Sequence, residues 1–187
     1  SKAFKVREFI MAARVFPRDC AGRVCVLVFL WFAAGANCAQ GNNESEATLP
    51  DGVIVQWDIS RAWRETTPTR ERVCINGLWR WQPASDPAGD RVPAINWGFF
   101  KVPGSWPGIT SYMQKDCQTV HAHPEWKGIK LAEVKAAWYQ REISVPKEWA
   151  GRRISLTVDY LNSYAAVFMD GKRVGELRYP AGEVDLT

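Results

Sequence analysis

An alternation of apolar and polar side chains over residues 153–161 (RISLTVDYL) constrains the fold of this chain more than any other feature. Side chains two residues apart on a β-strand lie on the same face of the sheet. The pattern therefore predicts a strand with one face in the core and the other in solvent. The apolar set is Ile154, Leu156, Val158 and Tyr160, and the polar set is Ser155, Thr157 and Asp159.

The next strand, YAAVFM at residues 164–169, is apolar on both faces, as expected of a strand that is covered on both sides. Asp170 and Gly171 follow it, and these two residue types tolerate the positive φ angles of a type I′ turn. The sequence therefore predicts a central strand and a two-residue hairpin that returns through residues 172–174.

Other short strands are predicted over residues 72–82 and 97–103, which are rich in branched and aromatic side chains. Residues 126–142 predict a short helix or loop that becomes a strand near Trp138. Many short strands separated by Gly, Pro and Asp turns are typical of a β-sandwich. We therefore predict an all-β fold of the jelly-roll β-sandwich kind.

A corner is predicted between two of these strands, at residues 145–151 (VPKEWAG). Proline is favoured at the start of a helical turn and glycine just after its end. Pro146 and Gly151 therefore bound a single helical turn, and Trp149 is expected to pack beneath it.

The first 36 residues differ from the rest of the chain. Several arginines precede the apolar run VCVLVFLWFAAGA at residues 24–36, which ends in small residues, and Met11 is a natural starting point. A basic stretch, a short apolar run and a small-residue cleavage pattern are typical of a secretory signal peptide. We predict that residues 1–36 are upstream sequence plus a signal peptide, and that the protein is secreted or periplasmic.

Two alternatives to cleavage stay open for this region. The apolar run could anchor the chain in a membrane, but it is shorter than the roughly 17 to 25 residues that a spanning helix needs. Lipidation of Cys38 is the other alternative, although Asn37 before it matches that signal poorly. We expect residues 37–48 to be a polar linker and residues 49–187 to form one folded domain.

The charge of the chain argues against a nucleic-acid partner. The formal net charge is +4, and the six basic and two acidic residues of residues 1–36 account for all of it. The remaining domain is electrically balanced and has no block of Lys and Arg, so it offers no general attraction to a phosphate backbone. We expect neither nucleic acid nor a stable membrane span among its interactions after cleavage.

Four segments in a fixed order resemble the N-terminal sugar-binding domain of glycoside hydrolase family 2. Residues 74–84 (CINGLWRWQPA) resemble its opening strand, and residues 101–106 (KVPGSW) resemble its V-P-G-S-W element. Residues 138–176 resemble its W-Y-R-R-x-F-x-V-P segment with the following strand and hairpin. Residues 179–187 (YPAGEVDLT) resemble its closing element. The family includes β-galactosidases, β-glucuronidases and β-mannosidases.

The resemblance implies a non-catalytic domain of an exported glycosidase that hydrolyses β-linked sugars. The catalytic glutamates of that family lie on a TIM barrel, which we expect beyond Thr187 and packed against this domain. Glycoside hydrolysis needs two closely placed carboxyls, one with a raised pKa, and no acid pair stands out in this sequence. Two alternatives are a stand-alone carbohydrate-binding module and an inert domain that buttresses a partner. No cofactor is expected.

Three residues are candidates for contact with carbohydrate. The resemblance implies that the loop at residues 176–183 approaches the barrel, so Arg178 and Tyr179 could touch substrate; a plain surface loop is the alternative. Trp106 lies beside Pro and Gly and could expose its ring for stacking on a sugar. Trp126 shares that setting, and for both tryptophans a core position is the alternative.

Cysteine and histidine allow two further interpretations. Cys74 and Cys117 could form a disulfide in an oxidising compartment, or remain buried thiols. His121 and His123 would share a face of an extended segment and could bind zinc, but no second pair of ligands follows at a recognisable spacing. We therefore predict no metal site.

Overall fold

The computed structural model describes residues 5–14, 45–84, 92–104, 120–161, 163–169 and 172–187. Eleven strands account for most of its regular structure, and among the described residues helix occurs only as single 3-10 turns. The strands are β1 Lys5–Arg14, β2 Arg64–Thr66, β3 Glu71–Val73, β4 Gly77–Pro83, β5 Gly98–Val102, β6 Val120–His121, β7 Ala136–Val145, β8 Ser155–Val158, β9 Tyr164–Met169, β10 Lys172–Arg178 and β11 Gly182–Asp185. The 3-10 turns are Pro124–Trp126, Leu131–Glu133 and Lys147–Trp149. The fold is all-β.

Seven of the strands form one sheet in the order β10-β9-β1-β7-β4-β5-β6. Its neighbouring strands all run antiparallel. Two smaller sheets, β11-β8 and β2-β3, have two antiparallel strands each. Strand β9 has partners on both sides, and five of its six residues are buried. The prediction of a strand covered on both faces is confirmed.

The hairpin between β9 and β10 has the predicted length. Met169 pairs with Lys172, so two residues connect the antiparallel strands, and both of them lie outside the described part of the chain. The pairing shifts register between Arg173 and Gly175, as at a β-bulge. The bulge brings Gly175 against β11, where an added Cβ would lie 2.7 Å from a methyl group of Val184.

The core is built around a group of aromatic rings. Trp81 on β4 is completely buried; its ring lies 5.9 Å from Phe100 and meets Trp126 and Tyr139 edge to face. Burial raises the pKa of the Tyr139 hydroxyl well above its usual range. Because offset and edge-to-face rings pack densely, the group fixes the spacing of three neighbouring strands.

The small β11-β8 sheet packs on the same core. Leu156 on β8, Val184 on β11 and Leu186 just after it are buried in one cluster with the aromatic rings of the large sheet. A single apolar core therefore connects the two sheets, as expected of a layered all-β domain.

The predicted corner is present as the 3-10 turn Lys147–Trp149, with Pro146 before it and Gly151 after it at a φ of 77°. Trp149 is half-buried there, and its indole Nε1 donates to Glu71 Oε2 at 3.1 Å. The turn is therefore tied to the β2-β3 hairpin.

Two strand predictions need correction. The alternation over residues 153–161 placed Tyr160 on the buried face, but β8 ends at Val158, and Tyr160 is 71% exposed. The predicted strand at residues 72–82 is divided between β3 and β4, with an irregular segment at residues 74–76. In both cases, the chain leaves the sheet before the side-chain pattern ends.

The strand Lys5–Arg14 lies inside the large sheet, between β9 and β7, although the sequence indicated that residues 1–36 lie outside the folded domain. Met11, the expected start of the signal peptide, pairs with Tyr139 on one side and Val167 on the other. Residues 15–36 lie outside the described part, so cleavage of a signal peptide stays a prediction. Among the described residues, no helix has the length and apolar character required to cross a membrane.

Candidate functional site

The candidate residues Arg178 and Tyr179 lie where β10 ends, beside the start of β9. Arg178 pairs with Tyr164, the first residue of β9. The backbone N–H of Tyr179 then donates to the carbonyl of Ser163 at 2.8 Å, and that of Leu161 donates to the carbonyl of Pro180 at 2.7 Å. These bonds continue the pairing beyond the strands and hold the loop after β10 in a defined position.

Three donors surround the carboxylate of Glu176. Its Oε2 accepts from the Tyr164 hydroxyl at 2.7 Å and from Arg173 Nη2 at 2.7 Å. Its Oε1 accepts from Arg178 Nη2 at 2.8 Å and from Arg178 Nε at 3.2 Å. The Arg178 guanidinium also lies 5.1 Å from the centre of the Tyr164 ring. Because it is held by Glu176 and the ring together, the orientation of Arg178 is restricted.

The ionisation of these groups follows from their bonds. The hydrogen bond from Tyr164, followed by that from Arg178, holds the pKa of Glu176 below its ordinary value. The hydrogen bond to Glu176 raises the pKa of Arg178. Both side chains are therefore charged at neutral pH.

An exposed pair of tyrosines stands beside this network. The rings of Tyr160 and Tyr179 are 71% and 62% exposed, and they meet edge to face with centroids 6.3 Å apart. Each ring therefore keeps much of its apolar surface in water while its neighbour restricts its motion. We call the pair and the network beside it the tyrosine rim, composed of Tyr160, Tyr164, Arg173, Glu176, Arg178 and Tyr179.

The tyrosine rim is suited to binding. Flat aromatic faces can stack against the C–H face of a sugar ring, and a fixed guanidinium can donate to hydroxyl groups. A general acid for glycoside hydrolysis needs a raised pKa instead. Among the described residues, the carboxyls of Asp58, Glu176 and Asp185 have clearly shifted pKa values, and all three are lowered by hydrogen bonds.

A groove of about 1230 Å³ lies elsewhere on the domain, between the β2-β3 hairpin and β8. Trp57 and Trp63 are on its wall, and Trp63 is 63% exposed. Trp57 is held in place because its Nε1 donates to the carbonyl of Cys74 at 3.1 Å. Charged groups on the same wall are paired, for example Arg72 with Asp159 at 3.7 Å. The groove is a second concave surface that combines aromatic and polar groups.

Of the three predicted site residues, the structure describes two. Arg178 and Tyr179 are adjacent in the tyrosine rim, whereas Trp106 lies outside the described residues. Trp126 is 7% exposed, and its Nε1 donates to the carbonyl of Asn96 at 3.0 Å, so its core position is confirmed. Cys74 is half-buried just after β3, and Cys117 lies outside the described residues, so their pairing stays a prediction.

The two histidines do not share an environment. His123 is buried before the turn Pro124–Trp126, where its Nδ1 accepts from the backbone N–H of Glu125 at 3.1 Å. His121 lies at the edge of the sheet on β6, and burial lowers its pKa. Within the described ranges, no three residues of the types His, Cys, Asp and Glu are grouped closely enough to hold a metal ion.

Several residues of these surfaces were not among the sequence candidates, and Tyr160 and Trp63 are the exposed aromatic ones. The alternation assigned Tyr160 to the core. The strand has already ended at Asp159, and this charged residue is the sequence feature that argues against a core position for Tyr160. Trp63 gives no periodic signal, and its neighbours Arg61, Ala62 and Arg64 are the available clue to an exposed position. No model of a known protein family and no solved structure matches this chain.

Proposed function

We propose that this is the non-catalytic, jelly-roll sugar-binding domain of a secreted β-glycosidase, and that it contacts carbohydrate through the tyrosine rim. The observation that carries the proposal is the exposed Tyr160–Tyr179 pair beside Arg178, which is held by Glu176. Two exposed aromatic rings, with a restricted donor on the residue next to one of them, suit a ligand that has both a C–H face and hydroxyl groups.

Three further observations support the proposal. The fold is all-β with one apolar core shared by two sheets, as a jelly roll requires. The order of the four family-like segments agrees with a family 2 sugar-binding domain. The lowered pKa values of Glu176 and Asp185 favour ion pairing and hydrogen bonding over proton transfer to a leaving group.

The test is calorimetric titration of the full chain with β-galactosides, β-glucosides, β-glucuronides and β-mannosides. We expect binding to one class, weakened roughly tenfold or more by the double change Tyr160→Ala and Tyr179→Ala, a loss of about 1.4 kcal/mol or more. The matched control is Tyr160→Phe with Tyr179→Phe, which keeps both rings and should keep most of the affinity. A chromogenic glycoside should not be hydrolysed by the chain alone.

The proposal fails if the double alanine variant binds as the wild type does, or if the isolated chain hydrolyses a glycoside. Loss of sugar binding in Trp63→Ala, with no effect of the tyrosine changes, would assign binding to the groove instead. The same variants therefore distinguish the two surfaces.

A second role, buttressing a neighbouring domain such as a catalytic barrel, is favoured by a different observation. Val53, Ile54 and Trp63 are exposed by 39%, 63% and 63%, although they are large and apolar. Single exposed apolar side chains are ordinary, so this role requires that the three form one contiguous patch on which another surface packs. If this role is the relevant one, Ile54→Asp with Trp63→Asp should dissociate the domain from its parent protein without changing sugar binding.

A further inference from the structure

The interior strand β1 of the large sheet comes from a part of the chain far from its two neighbours in sequence. All ten residues of β1 pair with β7, from Lys5 with Val145 to Arg14 with Ala136. Six of them also pair with β9, from Phe9 with Met169 to Arg14 with Tyr164. Thirty residues that the structure does not describe separate β1 from the rest of the fold.

The neighbours of β1 leave space for one strand and no more. Both run antiparallel to β1, so β7 and β9 are parallel to each other, at about 9.5 Å, which is twice the usual strand spacing. Their facing edges present backbone N–H and C=O groups that need a partner. We call this space, bounded by Ala136–Val145 and Tyr164–Met169, the strand slot.

An empty strand slot would be unfavourable because its walls are buried and mostly apolar, with Gln140 and Arg141 as the buried polar residues of β7. Residues 136–141 of β7 are all buried, and so are residues 164–168 of β9. On its other side, β7 is paired with β4 only at residues 137–140. A long apolar edge with unpaired backbone groups readily accepts another extended segment.

We propose that the strand slot is a binding site for an extended peptide, and that residues 5–14 are its ligand. The ligand is held by backbone pairing on both edges, so it stays bound after the chain that connects it to the domain is cut. Cutting the chain between Arg14 and Ser45 would separate ligand and site covalently and leave the strand slot able to take the same segment in trans.

The test cuts the connection in the folded chain. A protease site is introduced at residues 40–43 in the full-length protein, and the purified protein is cleaved and passed over a sizing column. We expect the N-terminal piece to elute with the body in native buffer and to separate from it in denaturant. Elution of the two pieces apart in native buffer, with the body still folded, would overturn the proposal.

The chain offers a matched pair of variants for this test. Ala12 lies in the strand and pairs with Trp138 and Ala166, so Ala12→Pro removes a backbone donor from the ladder. Ala3→Pro makes the same change two residues before the strand begins. Only Ala12→Pro should release the N-terminal piece after cleavage; equal behaviour of the two variants counts against the strand slot.

A second measurement covers the case in which Ala12→Pro does not fold. Ala13 pairs directly with Ala165. Cysteines at these two positions should form a disulfide on mild oxidation, since directly opposed residues lie within bridging distance. Cysteines at Ala13 and Ala166 are the control, because a shift of one residue turns the side chains to opposite faces. Mass spectrometry of linked peptides should find the first bridge; its absence, or equal formation of both, contradicts the proposal.

Discussion

Arg141 on β7 holds the start of the neighbouring strand β4 by its guanidinium: Nη1 donates to the carbonyl oxygen of Leu78 at 2.6 Å. Nη2 donates to the carbonyl of Asn76 at 3.3 Å, and the group lies 5.7 Å from the centre of the Trp79 ring. Burial lowers the pKa of Arg141 to about 10, so it remains charged at neutral pH. A buried cation thus satisfies one carbonyl group in the irregular segment between β3 and β4 and one at the start of β4.

The change Arg141→Met keeps the apolar stem and removes both donors. We expect it to lower the free energy of unfolding by about 3 kcal/mol, because two carbonyls lose their partner. The measurement is urea unfolding followed by tryptophan fluorescence. The matched control is Arg152→Met, since the Arg152 side chain is 61% exposed and lies 3.9 Å from Glu71. That control should change stability by less than about 0.5 kcal/mol, and similar losses in both variants would contradict the assigned role.

A methyl group at Gly98 should be poorly tolerated. An added Cβ would collide with the Trp126 ring and lie 2.5 Å from the carbonyl oxygen of His121. Because both neighbours are part of the packed core, we expect Gly98→Ala to cost about 2 to 3 kcal/mol of unfolding free energy. Gly128→Ala is the comparison: it adds the methyl group in open space, at a φ of 91°, and should cost roughly 1 kcal/mol. Thermal unfolding of the two variants should rank them in this order; the reverse order would be inconsistent with the packing of Trp126 on β5.

The same substitution at two tryptophans should change stability by very different amounts. Trp81→Phe replaces a fully buried indole, which contacts Phe100, Trp126 and Tyr139, by a smaller ring. We expect the free energy of unfolding to fall by about 2 to 3 kcal/mol. Trp63→Phe changes a ring that is 63% exposed and should alter stability by less than about 0.5 kcal/mol. Differential scanning calorimetry measures both. Equal losses of stability in the two variants would mean that the aromatic group on β4, β5 and β7 is not what stabilises the core.

The acid sensitivity of the tyrosine rim follows from Glu176. Its pKa is lowered in the folded state from an ordinary value of 4.5, so its ionised form stabilises the fold above that pH, and this contribution is lost as the pH falls through the folded-state value. At pH 7 Glu176→Gln should be less stable than the wild type, and the difference should shrink as the pH is lowered from 4.5. Urea unfolding at a series of pH values measures this.

A matched control for this titration is Glu133→Gln. Glu133 is an exposed carboxylate that pairs with Lys130 at 3.1 Å, and an ion pair of that kind contributes little to stability. The stability of Glu133→Gln should therefore stay close to that of the wild type across the series. A gap between Glu176→Gln and wild type that does not change with pH would contradict the role given to the carboxylate.

Local sequence patterns predicted several elements because short-range chemistry decides them. The apolar run at residues 164–169 became the buried strand β9, and Met169 pairs with Lys172 across a connection of the predicted length. Pro146 and Gly151 bound a 3-10 turn as their backbone preferences indicate. Two of the three predicted contact residues, Arg178 and Tyr179, lie together because they are neighbours in the chain.

The other contacts of the tyrosine rim could not be predicted from local sequence patterns. Tyr160 and Tyr179 are far apart in the chain, and their rings meet because Leu161 pairs with Pro180 in the structure. The exposure of Tyr160 depends on where β8 ends, and alternation of side chains does not locate that end. The contacts of Tyr164 with Glu176 and Arg178 require the register of β10 against β9, which shifts after Arg173.

By itself, the sequence determined that the chain is rich in strands, where the hairpin of β9 and β10 turns, and which strand is buried on both faces. These properties depend on the period of the side chains and on the backbone preferences of Gly, Pro and Asp. Only the tertiary structure decided that Lys5–Arg14 lies between β7 and β9, that Arg141 holds β4, and that two tyrosines share an exposed rim. Contacts between distant segments depend on which backbone edges and apolar faces need partners once the strands have formed, and no local pattern records that choice.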